Sequence, residues 1–490
     1  MAKSNIKKLG NFHTEPIFEG RTFGDFLLEP QLGTVESRRD VVLKARLSRH
    51  IELNLPIIAS NMDSVTGPEM CIALAQEGGI GFLPRSDAIS IEQQVGWVQK
   101  VKRSESFIIE HPYTILENQT VREARAVMAE HRVSTLLVVG TNGALVGKRT
   151  AREKMRLCEN DTDLVRDWMK RLSDTEYSQK KITSLDEARA ELIRCNQDKL
   201  PLVDRNFNIR GLITIKDINN LLHHRWANKD AKGRLRVGAA IGARGDFMER
   251  SAELIKSGVD VIVMDTAHAH SVVVGAAIKR FRKRFGESEL IAGNVASYDA
   301  GRFLAQLGVD GVKVGIGAGF GCRTRLEAGV GTPQIQAIRS VWHALAPKKI
   351  PFIADAGCKV PGHVGLALLT GGSSVMLGSM LAGTDEAPGE LVSDPSTGMK
   401  YKMYRGMTSP EAKMAGKTGA GVKNVEGQSQ RVPYVGSVKD ILVRIREGLQ
   451  SMVSYAGFAT LEDARAKINP HPERYLIPLS RAAQEESFKR

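Results

Sequence analysis

The chain has 490 residues, of which 42% are hydrophobic, 25% charged and 6% aromatic; this excludes a disordered or fibrous chain and leaves room for one large domain plus a smaller module. Its net charge of +14 suits an anionic partner, but the Lys and Arg residues are scattered along the chain, with no long basic block and no aromatic-interleaved RNA signature, so the excess is read as solubility plus attraction for small phosphates rather than nucleic-acid binding. No apolar run approaches the ~20 residues of a membrane span, and the opening MAKSNIKKLGNFHTEPIF has no signal-peptide core, so a cytoplasmic protein with no membrane partner is expected.

In chain order, eight short apolar runs rich in β-branched residues or glycine end in polar residues or glycine: LPIIAS (55–60), GGIGFL (78–83), RVGAAIG (236–242), DVIVMDTA (260–267), LIAGNV (290–295), GVKVGI (311–316), PFIADAG (351–357) and SVMLGS (374–379). Amphipathic stretches such as GDFMERSAELIKSG and YDAGRFLAQLG lie between most of them. Strand and helix therefore alternate, which predicts an α/β fold, a parallel (β/α)8 TIM barrel.

The alternation breaks once, between the second and third runs. Residues 104–226 hold two similar units, one beginning YTILENQTVREARAVMAEHRVSTLLVVG and the other KKITSLDEARAELIRCNQDKLPLVD. Each reads as a short strand, a helix, a strand, a second strand ending in Thr, and another helix. The repeat resembles a tandem CBS (Bateman) module. Thr214 and Asp217 of GLITIKDI match that family's ribose- and phosphate-contacting positions, with Thr150 and Glu153 as weaker counterparts. The resemblance implies regulation by purine nucleotides such as ATP and GTP; without it, Thr214 reads as a strand-to-helix cap. The domains expected are residues 1–103, the first part of a catalytic barrel; 104–226, the regulatory module; and 227–490, the rest of the barrel with a flap at 404–434.

Catalytic groups of such a barrel sit on the loops after the strands, and phosphate commonly sits after strands seven and eight. Both those ends, ADAGCKVPGH and LGSMLAGT, bring glycines and so approachable backbone N–H groups to one corner. A phosphorylated substrate is therefore favoured. The other strand ends offer Ser60, Asn61, Met62 and Asp63; Asp265, Thr266, Ala267 and His268; Asn294; and a glycine-rich loop around Cys322. The five cysteines, with no CxxC pair or zinc-type spacing, read as free thiols, and most as small buried residues. Cys322 differs, because a thiol on a glycine loop at a barrel mouth is placed to attack. No histidine can be assigned as its base.

GIGAGFGCRTRLEAGVGTPQ resembles the catalytic loop of the IMP dehydrogenase/GMP reductase family. SNMDSVTG, EGGIGFLPR, VIVMDTAHAHS, IAGNVAS, IADAG, VMLGSMLAGTDEAPGE and MYRGM resemble further segments of it in order. The resemblance implies that the Cys322 thiolate adds to C2 of a purine nucleoside 5′-monophosphate, which then exchanges a hydride with a nicotinamide cofactor. It implies substrate contacts from Ser60, Met62, Asn294, Gly406, Met407 and Glu426, with Asp355 on the ribose and Gly357, Gly378 and Ser379 on the phosphate. Asp265, Thr266 and Ala267 would border the cofactor. Backbone carbonyls of Gly317, Gly319 and Cys322 would surround a monovalent cation, K+. A homotetramer, pairing into an octamer, is the assembly implied.

The two branches of the family differ in what meets the shared thioimidate. A dehydrogenase (IMP to XMP with NAD) activates water through an Arg-Tyr pair on its flap; a reductase (GMP to IMP with NADPH) releases ammonia. Here 404–434 holds no Arg-Tyr pair, and the one such dipeptide, Arg474-Tyr475, lies far beyond it. Losing the base for water would remove about 10²–10⁴-fold in rate. The expectation is accordingly a CBS-regulated GMP reductase, with Thr324 and Glu411 protonating the leaving ammonia and Thr408 closer to the reductase serine. The alternatives are an IMP dehydrogenase with an atypical flap, favoured by the CBS pair, and a non-catalytic nucleotide sensor. Three departures stand out: Phe320 in place of a phosphate-contacting serine, Arg323 in place of a threonine, where it could supply the missing phosphate contact, and Ala269 in place of a glycine.

Overall fold

The computed structural model describes residues 15–488 apart from 105–107, 132, 151–159, 183–184, 217, 220–223, 225, 408 and 410–426. All eight predicted runs become strands: β1 (Ile57–Ala59), β2 (Ile80–Leu83), β3 (Gly238–Ile241), β4 (Val261–Asp265), β5 (Leu290–Val295), β6 (Gly311–Val314), β7 (Phe352–Asp355) and β8 (Ser374–Leu377). They pair in parallel and in sequence order, and β8 closes on β1 through Val375 opposite Ile57. A (β/α)8 barrel results.

Alternation along the strands divides two cores. Ile58, Phe82, Val261, Val263, Ile291, Ile353 and Met376 fill the barrel interior. Their neighbours Ile57, Ala59, Ile262, Met264, Ala292, Ala354 and Val375 face the surrounding helices. Both sides are dry, which is why the strands read as continuous apolar runs rather than alternating ones. The interior is stoppered at one end by Leu47, Ile51 and Leu53 of a small hairpin, and the Leu47 carbonyl lies beside Gly311 at the start of β6. The N-terminal end of the barrel is thus closed, and the C-terminal end is left to carry a site.

The helices follow local signals. Ser271 and Ser297 cap Val272–Arg284 and Tyr298–Gln306 by accepting the amides of Val274 and Ala300, and prolines open Pro68–Gln76 and Pro361–Leu369. A three-stranded sheet of Val392–Ser393, Lys400–Arg405 and Ser429–Pro433 brackets the flap. The sequence reading did not anticipate it.

The chain divides into two compact units: residues 1–102, 226–228 and 235–490, which carry the barrel, and residues 103–225 with 229–234. In the second unit, Thr114–Leu116, Thr135–Val139, Leu145–Thr150 and Lys170–Arg171 form one sheet, and Lys199–Val203 with Ile209–Thr214 forms another. Helices Val121–Glu130 and Leu185–Arg194 occupy matching places in the two repeats. The first repeat opens on a strand as expected, whereas the second opens on a single bridge, Ser178 to Leu202. Thr214 is buried at the end of its strand. Thr150 ends the equivalent strand, while Glu153 and Asp217 lie outside the described residues.

Candidate active site

The period of two that puts Val261, Val263 and Ile353 inside the barrel also turns Asp265 and Asp355, the last residues of β4 and β7, toward its open end. Lys313 on β6 shares that inward register with Gly311. Its Nζ lies 2.6 Å from Asp355 Oδ2 and 3.1 Å from Asp265 Oδ1, with only 4% of the side chain exposed. Burial alone would favour the neutral amine, but the two carboxylates outweigh it and hold the ammonium charged, above the ordinary lysine range. Asn61 donates to Asp265 Oδ2 at 2.6 Å and Asn294 donates to Asp355 Oδ2 at 2.9 Å. Asn294 also donates to the Gly315 carbonyl, while its own Oδ1 is buried without a partner, an acceptor left over for a ligand.

Above this floor opens a cavity of about 750 Å³. Cys322, Gly317, Gly319 and Phe320 form one wall; Ser60 and Met62 another; Asp265, Thr266, Ala267 and Asn294 a third; Asp355, Gly357, Gly378 and Ser379 a fourth; Gly406 and Met407 lie on the flap side. These residues, drawn from Ser60 to Met407 in the sequence, meet in one space. The Cys322 Sγ lies 3.1 Å from the Thr324 hydroxyl. Cys322 is partly exposed, whereas Cys71, Cys195 and Cys358 are buried, and burial pushes their thiols up. Cys158, Glu411 and Glu426 lie outside the described residues.

Glycine is demanded at two points of the Cys322 loop. Gly315 has φ +148° and a Cβ there would lie 2.3 Å from the Asp355 carbonyl; Gly317 has φ +81° and would meet Arg325. The loop is zipped to the flap base: Cys322 bridges Gly427, and the Gln428 amide donates to the Gly321 carbonyl at 3.0 Å. As for a cation, the Gly319 carbonyl already accepts the Cys322 amide at 3.1 Å, leaving it one lone pair for an ion.

One expectation about the phosphate corner changes, and one residue was missed there. Arg323 is paired with Glu327 at 2.7 Å and does not line the cavity, so it supplies no contact in place of the lost serine. Tyr404, missed in the sequence, lines the cavity: its ring lies 5.8 Å from that of Phe320, and a Cβ on Gly378 would lie 3.1 Å from its hydroxyl. Burial pushes the phenol up, so it keeps its proton and can donate. Lys313 was also missed, although a lysine inside the apolar run GVKVGI was a legible signal. His268 and His270 are exposed, their rings meet edge to face, and neither lines the cavity.

The chain is similar to known proteins over nearly its whole length. The family model "IMP dehydrogenase / GMP reductase domain" matches residues 20–489. The inosine-5′-monophosphate dehydrogenase of Nitrosopumilus maritimus is 40% identical over 96% of this chain and 98% of its own, and that of Bacillus subtilis is 40% identical over 91% and 92%. A GMP reductase of Trypanosoma brucei, solved with guanosine 5′-monophosphate, superposes with a TM-score of 0.88 at 35% identity, covering 96% of this chain and 97% of that one. The same reductase solved with guanosine 5′-triphosphate gives 0.78 at 33% identity, over 94% and 98%.

Proposed function

This chain belongs to the IMP dehydrogenase/GMP reductase family of oxidoreductases, and on that premise we propose that it is a GMP reductase, converting GMP, NADPH and a proton to IMP, NADP+ and ammonia. The observation that carries the choice is the flap. Residues 404–434 contain no Arg-Tyr pair to activate water. Arg474-Tyr475 cannot substitute: it precedes strand Leu476–Pro478, which pairs with Phe26–Leu28, and neither residue lines the cavity. The dehydrogenase reading draws on relatives at 38–40% identity. That identity spans a scaffold both branches share, whereas water activation depends on a few flap residues. The inserted unit does not favour the dehydrogenase either, since the superposition on the Trypanosoma brucei reductase covers 96% of this chain.

In this reading the Cys322 thiolate adds to C2 of GMP. The 2-amino group takes a proton from the Thr324–Glu411 pair and leaves as ammonia, giving a thioimidate. Asp265, Thr266 and Ala267 would hold a nicotinamide cofactor, which would supply hydride chemistry at C2, and the thiolate is the group that then departs to leave IMP. Asp355 accepts the ribose hydroxyls. Gly357, Gly378, Ser379 and the Tyr404 hydroxyl hold the phosphate, and Met62, Met407 and Glu426 bound the base. The carbonyls of Gly317, Gly319 and Cys322 would hold K+, whose charge would steady the loop. Closing the cavity against water protects the thioimidate from hydrolysis.

The second unit is proposed as a tandem CBS module on which ATP or GTP acts through Thr150, Thr214 and Asp217. Its internal repeat supports this, as does the guanosine 5′-triphosphate bound in the Trypanosoma brucei reductase. Product analysis tests the catalytic reading: GMP with NADPH should yield equal amounts of IMP and ammonia. XMP from IMP with NAD, and no ammonia from GMP, would reverse it.

A further inference from the structure

We infer that Lys313 is a positioning residue whose single buried ammonium joins Asp265 and Asp355, and that this three-residue ion cluster presents the acceptor for the nucleotide's ribose diol. The inference rests on the reading that a purine nucleotide occupies the cavity. The bonds themselves show the division of labour. Among the described residues, both oxygens of Asp265 are engaged, Oδ1 by Lys313 and Oδ2 by Asn61. Among the described residues, the side-chain bonds to the Asp355 carboxylate both end on Oδ2, from Lys313 and Asn294, which leaves Oδ1 to face a ligand. Asp265 is thus an anchor that fixes the lysine, and the lysine fixes the orientation of Asp355.

The barrel is shaped around this lysine. A Cβ on Gly293 of β5 would lie 2.5 Å from Lys313 Cβ and 2.6 Å from its carbonyl oxygen, so glycine makes room for the side chain to rise between β4 and β7. The other charged and titratable groups of the cavity do not replace it. Arg85 faces Asp87 at 3.4 Å, and Lys359, on the loop after β7, is exposed and, among the described residues, makes no ion pair with Asp265 or Asp355; Asn61 and Asn294 are neutral, and Tyr404 and Cys322 bring no positive charge. Removing the ammonium would leave two like charges in one enclosed site, an arrangement that resolves by taking up a proton. A protonated Asp355 is a poorer acceptor for ribose hydroxyls, so the defect grows as pH falls.

The test is the dissociation constant of GMP, without cofactor, for the full chain and for Lys313→Met and Lys313→Met/Asp265→Asn, from pH 8.5 to 6.5. Variant-to-wild-type ratios cancel titration of the ligand's phosphate. Over that range the Lys313→Met ratio should rise about tenfold, the effect of one carboxylate moved up by like charge, and the double variant, relieved of that charge, should stay within about twofold. A pH-independent Lys313→Met ratio, or a double variant as steep as the single one, overturns the inference. If Lys313→Met lacks a native melting transition and the double variant has one, the same repulsion is being read as stability; if both lack it, packing rather than charge is at stake and the inference fails. A wild-type chain that binds neither GMP nor IMP overturns the nucleotide reading and this inference with it.

Discussion

At the scale of single residues, the site rests on a thiol and a hydroxyl held 3.1 Å apart. Cys322→Ala should retain GMP binding within about threefold and lose turnover altogether, because no other described cysteine is exposed to replace it. A Cys322→Ala variant that still oxidised NADPH would end the covalent mechanism. Thr324→Ala should lower kcat about 10²-fold with little change in the KM for GMP, the scale of a lost proton-transfer group, and Thr324→Ser should restore most of it. A threonine that merely started the short helix Thr324–Glu327 would tolerate alanine, and the serine variant would then make no difference.

At the scale of elements, the eight strands were legible because parallel strands buried on both faces leave long apolar runs, and their order in the sequence is their order in the barrel. Cys322, Asp355 and the two glycine corners were legible because strand ends and loops can be counted. Lys313 and Tyr404 were not picked out. Their roles come from partners on other strands, Asp265 and Asp355 for the one and Phe320 and Gly378 for the other, and sequence spacing does not encode such contacts. The same holds for Arg323, whose partner Glu327 lies one helical turn on and takes it out of the cavity. The inward row makes its own prediction. Gly293→Ala forces a methyl against Lys313 and should destabilise the barrel by about 1–3 kcal/mol, measured as a lowered denaturation midpoint, with GMP affinity falling alongside. An unchanged midpoint would mean that β5 shifts freely, contrary to the pairing of Gly293 with Asp265 of β4 and Lys313 of β6.

At the scale of the whole molecule, distant parts of the barrel unit are clamped by Arg339. Its guanidinium is fully buried, pairs with Glu15, donates to the carbonyls of Thr370 and Asn469 at 3.1 Å and stacks on Trp342. Burial would raise the Glu15 carboxyl, but the bonds from His343 and Arg339 prevail and hold it at about 2. A depressed carboxyl contributes stability above its ordinary value of 4.5 and loses it as pH falls toward 2. Glu15→Ala should therefore cost on the order of 3 kcal/mol at neutral pH by stranding the arginine, and the difference from wild type should shrink between pH 4.5 and 2. Because the barrel closes on its own strands and has its own core, replacing residues 103–225 with a short linker should leave a folded barrel with basal turnover and abolish any response to ATP or GTP. The central claim concerns the direction of the chemistry. Its most direct measurement is absorbance at 340 nm with the purified full chain in two parallel reactions: a fall with GMP and NADPH and no rise with IMP and NAD is predicted, whereas a rise with IMP and NAD, and none consumed with GMP and NADPH, would contradict it.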